Sequence, residues 1–246
     1  MPGAPHPVLT QYYERDHDRQ PFVIDLFDGG ARYYDQLCGL MSLGSGQWYR
    51  RRALERAGLR PGMKHLDVAT GTGLVARPAA RILQEPRAVI GLDPSRGMLH
   101  EARKHLVGPL VQGRVEDLPF RAGLFDLLTI GYALRHVADL ELVFRECLRV
   151  LKPDGRLLVL ELTLAPSAAG RGAIRFYLTR VLPLIIGLRT RNQHARMLTR
   201  YYWDTIAACV PPDTIVASLQ RSGFANVERH AFAGVISEYV GVKPAP

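Results

Sequence analysis

Residues 66–73 read Leu-Asp-Val-Ala-Thr-Gly-Thr-Gly, and the chain reaches Gly-Leu-Asp93-Pro-Ser 20 residues past Gly73. A short apolar run ends in an acid, a glycine turn opens a helical stretch, and a second apolar run ends in another acid. Such an order predicts a parallel βαβ unit. Its glycines let the backbone close on a ligand, and its second carboxylate is placed to grip two ribose hydroxyls. The fold is thereby held to the α/β class, and the ligand to an adenosine-containing cofactor.

The glycines alone do not choose the cofactor. Gly71-Thr-Gly73-Leu-Val-Ala76 satisfies the dinucleotide pattern with alanine in third place, so NAD or FAD remains open. Asp67 separates the readings. The helix of a dehydrogenase turns its positive end to a pyrophosphate, which a neighbouring carboxylate would repel. S-adenosylmethionine has no phosphate and carries positive charge, which Asp67 would meet. A plain turn or N-cap role is the other reading of Asp67, and Asp93 would serve equally as a helix cap ahead of Pro94. Beyond the third expected strand, Gly113-Arg-Val-Glu-Asp-Leu-Pro-Phe120 is a turn placed to pass the adenine, with the Val115 backbone as donor. The fourth ends in Gly131-Tyr-Ala-Leu-Arg135-His136, small at the carboxyl edge where open α/β sheets bind ligands.

Apolar runs ending near Asp67, Asp93, Gln112, Ile130 and Leu162 alternate with helical patterns at Pro78–Leu83, Arg96–Leu106 and Ala138–Leu151. Five strands with crossovers make a mostly parallel, doubly wound sheet. The 246 residues, 47% hydrophobic, suffice for one such core. Residues 1–24 are expected to be loosely ordered and 25–246 to form one domain. Within it, 25–60 is a helical cap, 61–162 the cofactor-binding core, 163–222 a helical insert or lid, and 223–246 the closing strands.

The net charge of +9 is nearly all arginine, since Lys64, Lys104, Lys152 and Lys243 are the only lysines. No basic run is interleaved with stacking aromatics, which speaks against nucleic acid as a partner. Attraction to an anionic membrane surface is the remaining functional reading of the charge. Cys38, Cys147 and Cys209 are far apart and lack metal-ligand spacing, which fits a reducing cytoplasm. Met-Pro-Gly-Ala-Pro-His is not a secretory leader, and the run Val181–Leu188 is too short to span a bilayer.

The succession Tyr34-Asp35, Leu40-Met41-Ser42-Leu43-Gly44, Asp67–Gly73, Asp93, Leu118-Pro-Phe120, Leu134-Arg135 and Arg149-Val-Leu-Lys-Pro-Asp-Gly155 resembles the ubiquinone/menaquinone biosynthesis C-methyltransferase family. The likeness runs from about residue 25 to residue 243. It implies a seven-stranded class I methyltransferase sheet of Rossmann-like type, with its last strand antiparallel. The implied activity is methyl transfer from S-adenosylmethionine to a ring carbon of a reduced quinone. The cofactor set then comprises Asp67, Ala69, Gly71, Thr72, Gly73, Asp93, Pro94, Met98, Arg114, Val115 and Gly131. The chain departs from the family's pattern at His136, where asparagine is usual, and at Arg114, where a short polar residue is usual. It also lacks a basic residue before the last glycine of its closing strand.

An aromatic carbon attacks a sulfonium methyl well only when a neighbouring hydroxyl ionises, so a fixed cation beside that oxygen is expected. Arg135 is the candidate cation, the other reading being a plain pair with an acid. Tyr34 and Asp35 would hydrogen-bond the ring or organise a water, or else serve as packing and a helix cap, and His136 would serve as base or simply line the pocket. No metal is implied, because this displacement needs no Lewis acid. The apolar stretch Gly172–Leu188 would line a tunnel for a prenylated acceptor, dock on a membrane, or pack against the sheet or a second subunit of a homodimer. Three other functions compete. They are C-, O- or N-methylation of a soluble secondary metabolite, a nicotinamide-dependent oxidoreductase, and a cofactor-binding scaffold without catalysis.

Overall fold

The computed structural model describes residues 3–245. Residues 1 and 2 of the expected loose segment, and residue 246 of the closing region, lie outside the described residues. In chain order the elements begin with α1 (Arg19–Met41), α2 (Gly46–Arg56), β1 (His65–Val68), α3 (Ala76–Leu83), β2 (Val89–Asp93) and α4 (Arg96–Ala102). They continue with β3 (Leu110–Gln112), β4 (Phe125–Gly131), α5 (Leu140–Val150) and β5 (Leu151–Leu162). The C-terminal portion holds α6 (Ala168–Phe176), α7 (Leu182–Arg189), α8 (Gln193–Ala208), α9 (Pro212–Arg221), β6 (Ala225–Phe232) and β7 (Ile236–Val242).

Seven strands form one sheet in the order β3-β2-β1-β4-β5-β7-β6. Only β7 runs antiparallel to its neighbours, so the expected class I arrangement, last strand included, is the one observed. Helices cover both faces, and β1 is accordingly buried at every position. One face packs Phe144, Val143 and Cys147 of α5 and Ile215 and Leu219 of α9 against the sheet. The other packs Ala53 and Leu54 of α2 and Ala76, Ala79 and Leu83 of α3. Strand order reverses between β1 and β4, and a ligand crevice opens at the carboxyl ends there.

A third core joins the cap to the insert, with Leu26 and Leu37 of α1 against Leu182, Ile186, Leu198 and Tyr201. Helices α6 and α7 are one rod, joined by a π-helical turn at Tyr177–Val181. Pro183 has no N–H for an i−4 bond, and the wider turn before it absorbs that loss. Side-chain caps fix the helix starts. Ser95 accepts from Met98 N at 3.0 Å, Asp139 from Leu142 N at 2.9 Å and Asn192 from Ala195 N at 2.8 Å, each worth about 1 kcal/mol.

The N-terminal expectation is corrected. Residues 3–18 form a strap laid on the third core, with His6, Leu9 and Tyr13 buried, and Arg19 at the start of α1 is buried with them. Leu140 N donates to Gly3 O at 2.7 Å and Val210 N to Pro5 O at 2.8 Å. Arg19 anchors it by donating to Val137 O and His6 O, each at 3.0 Å. Of the charged residues in this stretch Arg19 is thus fastened by backbone carbonyls, and α1 begins at Arg19 rather than near 25.

Candidate functional site

The site starts at the glycine turn after β1. Ala69 and Gly71 take positive φ of 53° and 57°, and Gly73 one of 87°. A Cβ on Gly73 would meet only the movable Leu106 Cδ1 at 2.7 Å, so it is the left-handed backbone that favours glycine there. At Gly71 the space is open: its nearest neighbour would be Tyr34 Cε1, 3.9 Å away. Asp93, at the end of β2, accepts from Gly71 N at 2.8 Å and from Ser95 N at 2.9 Å. It is buried, and burial raises its pKa to about 6 against the opposing pull of those two N–H groups.

A cleft of about 110 Å³, continuous with solvent, opens beside that carboxylate. Ala69, Gly71, Asp93, Pro94 and Met98 form one wall, and Arg114, Val115 and Gly131 another. Eight of the expected cofactor residues are thus brought together. Three stand behind. Gly73 shapes the turn without lining the cleft. Asp67 is buried, with one oxygen taken by Thr70 Oγ1 at 2.7 Å and the other by Thr129 Oγ1 at 2.6 Å. Its burial raises its pKa to about 6. The reading of Asp67 as a direct partner for the ligand's positive end is therefore corrected to a charge held beneath the turn.

Thr72 is the third. Its hydroxyl donates to Asp35, whose other oxygen accepts from Arg77 Nη2 at 2.6 Å. Asp35 was expected at the acceptor ring. It instead clasps α1 to the glycine turn, because Thr72 of that turn and Arg77 at the start of α3 both reach it.

The acceptor end of the cleft is formed by Tyr34, Phe27, Tyr132, Ala133 and His136. The Tyr34 hydroxyl receives a hydrogen bond from Tyr202 at 2.9 Å, and burial holds it a neutral phenol. His136 stacks on Tyr201 at 5.4 Å and meets Phe27 edge-on, and neither ring nitrogen has a protein partner. Burial, reinforced by Arg135, His6 and Arg19, drives its pKa well below the usual value. The expectation of a base titrating near neutrality is overturned. His136 is neutral and a weak base.

Arg135 is corrected too. It is fully buried and does not line the cleft. It pairs with Glu161 of β5, and its Nε donates to Thr205 Oγ1 of α8 at 3.0 Å. Its guanidinium lies 5.0 Å from the Tyr202 ring centre, so it reaches the cleft only through Tyr202 and Tyr34. The sequence offered no sign that Glu161, 26 residues on, would claim it.

Some lining residues were not anticipated. Glu116 accepts from Gln20 Nε2 at 2.7 Å and lies 3.6 Å from Arg114 Nε. It supplies the acceptor that an arginine at 114 does not. Tyr132, at a φ of 62°, is a strained non-glycine residue beside Gly131, with Arg50 5.3 Å from its ring centre. Position in the turns after β3 and β4 was the available signal; the side-chain roles were not. Among the described residues no three His, Cys, Asp or Glu side chains are grouped to hold a metal.

The ubiE/COQ5 methyltransferase family matches residues 14–243. The chain is 32% identical over 235 residues to the ubiquinone/menaquinone biosynthesis C-methyltransferase UbiE of Saccharophagus degradans, covering 92% of this chain and 93% of that one. It is 33% identical over 228 residues to the demethylmenaquinone methyltransferase of Clavibacter sepedonicus, covering 91% of each. Among solved structures, a SAM-dependent methyltransferase of Thermotoga maritima superposes with a TM-score of 0.61 at 18% identity, covering 89% of this chain and 99% of that one. Phosphoethanolamine N-methyltransferase 2 of Haemonchus contortus, in complex with S-adenosyl-L-methionine, gives 0.65 at 18% identity, over 92% of this chain and 60% of that one. At such identity these two establish the fold.

Proposed function

We propose that this chain, which belongs to the ubiE/COQ5 methyltransferase family, methylates a ring carbon of a reduced quinone with S-adenosylmethionine as donor. The residues fit the cofactor. Asp93 spends its oxygens on two backbone N–H groups and keeps lone pairs for ribose hydroxyls, and Glu116 and the Val115 backbone stand where an adenine would be met. Two carboxylates, Asp35 and Asp67, adjoin the turn before α3. They oppose a pyrophosphate and favour a cationic ligand, which disfavours the nicotinamide reading. When bound, the cofactor supplies an electrophilic methyl group on sulfur.

The observation that carries the acceptor assignment is the far end of the same cleft, where Phe27, Tyr34, Tyr132 and His136 give an aromatic lining. A ring seated there exposes its hydroxyl to neutral hydrogen-bonding groups. His136 accepts the acceptor's O–H through an unpartnered ring nitrogen, which raises electron density on the adjacent carbon. The Tyr34 phenol, fixed by Tyr202, orients the ring. With Arg135 held away from the cleft, the hydroxyl stays hydrogen-bonded to His136 while the neighbouring ring carbon takes the methyl group, and the proton on that carbon then leaves to water at the open side of the cleft as the ring regains aromaticity. A separate, partly open apolar hollow of about 160 Å³, bounded by Met41, Leu162, Ile174, Leu178 and Trp203, would take the start of a prenyl tail. It lies along the same helix, α1, that supplies Tyr34.

The test supplies methyl-labelled S-adenosylmethionine with demethylated quinones, short- and long-tailed, each oxidised and reduced, beside simple phenols. Label on a ring carbon of reduced quinones alone is the expected result. Label on oxygen or nitrogen, or none on any quinol despite tight S-adenosylhomocysteine binding, would overturn the proposal.

A further inference from the structure

Residues 162–203 contain seven arginines and no aspartate or glutamate, so most of the net charge of +9 sits in this one stretch. The stretch folds into the continuous rod α6–α7 and the first half of α8, which lie side by side on the molecular surface. One face of the rod, with Leu178, Leu182 and Ile186, is buried in the third core. Its opposite face leaves Phe176, Leu184 and Leu188 exposed at 63%, 64% and 81%. Scattered apolar residues on a surface need no explanation, but these three lie on one helix among arginines that no ion pair engages.

Between the rod and α8 runs an open groove lined by Arg175, Arg180 and Arg200 together with Phe176 and Trp203. Its one acid, Asp204, accepts a hydrogen bond from Tyr12 at 2.6 Å. We infer that this face docks the enzyme on an anionic lipid bilayer, with lipid phosphates in the arginine groove and Phe176, Leu184 and Leu188 inserted between headgroups. Guanidinium pairs meet phosphate oxygens in a fork, and long apolar side chains are rewarded by acyl chains but not by a soluble polyanion. A second copy of the chain would bring the same seven positive charges against each other. No helix among the described residues is long and apolar enough to cross a membrane, so attachment is along the surface. Trp203 lines both this groove and the apolar cavity behind it, which places the docking face at the mouth of that cavity.

The test is vesicle co-sedimentation of the full chain, without cofactor or acceptor, so that its outcome is independent of the methylation reading. Vesicles of phosphatidylcholine alone are compared with phosphatidylcholine containing phosphatidylglycerol, across a salt series. Binding to the anionic vesicles alone, weakening with salt, is expected. The triple variant R175A/R180A/R200A should lose roughly 100-fold in partitioning, at about fivefold per arginine. The separate variant F176S/L184S/L188S should lose at least about tenfold while keeping its salt dependence. All six side chains are exposed or at the groove, and circular dichroism and thermal melting confirm that both variants fold. Absence of binding to anionic vesicles overturns the proposal. So does binding that neither variant weakens, binding to RNA in preference to vesicles, or a dimer in sedimentation that the apolar variant dissociates.

Discussion

At the scale of single residues, burial decides which expected roles survive. Asp93 keeps its expected place because its two backbone donors leave it open to the cleft. Its pKa, raised by burial from 3.8 to about 6, has a direct consequence. An acid whose folded pKa is raised gains protons on folding between about pH 4 and pH 6, so ionised Asp93 costs the apoprotein stability above pH 6. A ligand that needs the carboxylate ionised binds less well as pH falls through 6. The affinity for S-adenosylhomocysteine should drop about tenfold from pH 7 to pH 5 by calorimetry, and Asp93→Asn should bind weakly with a much flatter profile. A profile in the wild type as flat as in the variant would remove Asp93 from ribose recognition.

His136 makes the complementary case. Sequence position placed it at the acceptor end, but its ordinary pKa misled about its charge, which burial sets first, reinforced by the adjacent Arg135 and by His6 and Arg19 from the N-terminal segment. Because it acts as a neutral acceptor, His136→Asn should retain kcat within about tenfold, whereas His136→Leu should lose 100-fold or more, in the range of general acid-base contributions. Neither the wild type nor His136→Asn should show a kcat limb near pH 6.5. A limb at that pH, abolished by the asparagine, would restore the titrating base.

At the scale of elements, the turn Leu134–His136 is held by a polar knot that no local pattern announced. Helix periodicity and apolar runs revealed α5, β1, β2 and β4 because each buries a continuous face of its own. The partners of Arg135 were illegible because Glu161 and Thr205 come from β5 and α8, and pairing across elements leaves no periodic trace. The N-terminal strap was misread for the same reason, its anchors lying far along the chain: Arg19 donates to the Val137 carbonyl, and the carbonyls of Gly3 and Pro5 accept from Leu140 N and Val210 N. Removing one partner of a buried pair strands the other charge, which costs about 3–5 kcal/mol. Chemical denaturation of Arg135→Met should show that loss, and Arg135→Met/Glu161→Gln should recover at least half of it. If the double variant is as unstable as the sum of the singles, the pair is not the knot's centre. Tyr202→Phe, which leaves the pair intact but frees Tyr34, should instead raise KM with little change in stability.

At the scale of the whole molecule, the sheet and the cap are separate cores joined over the cleft by α1. Besides Arg19 and Gln20 at its start, two aspartates fasten that helix beside the cleft. Asp28 accepts from Ser95 Oγ and from Gly97 N at 2.9 Å, clasping α4, and Asp35 accepts from Thr72 and Arg77, clasping the glycine turn. Next to these two clasps α1 presents Phe27 and Tyr34 to the cleft. A ligand lying against Asp93 and Gly71 is therefore covered by a helix whose own core, with α7 and α8, is not the sheet's. Release then requires the clasps to open while the sheet stays folded, a local opening well below global unfolding. Hydrogen bonds to charged acceptors contribute about 1.5–3 kcal/mol each. In Asp28→Ala/Asp35→Ala, stopped-flow dissociation of S-adenosylhomocysteine should accelerate at least about tenfold, with association changed far less. The fold must be shown intact by an unchanged denaturation midpoint for the sheet. Accelerated dissociation without loss of the sheet identifies α1 as the gate. An unchanged dissociation rate would mean that the ligand leaves by the open side of the cleft, past Arg114, and that the clasps only fix the geometry of Tyr34.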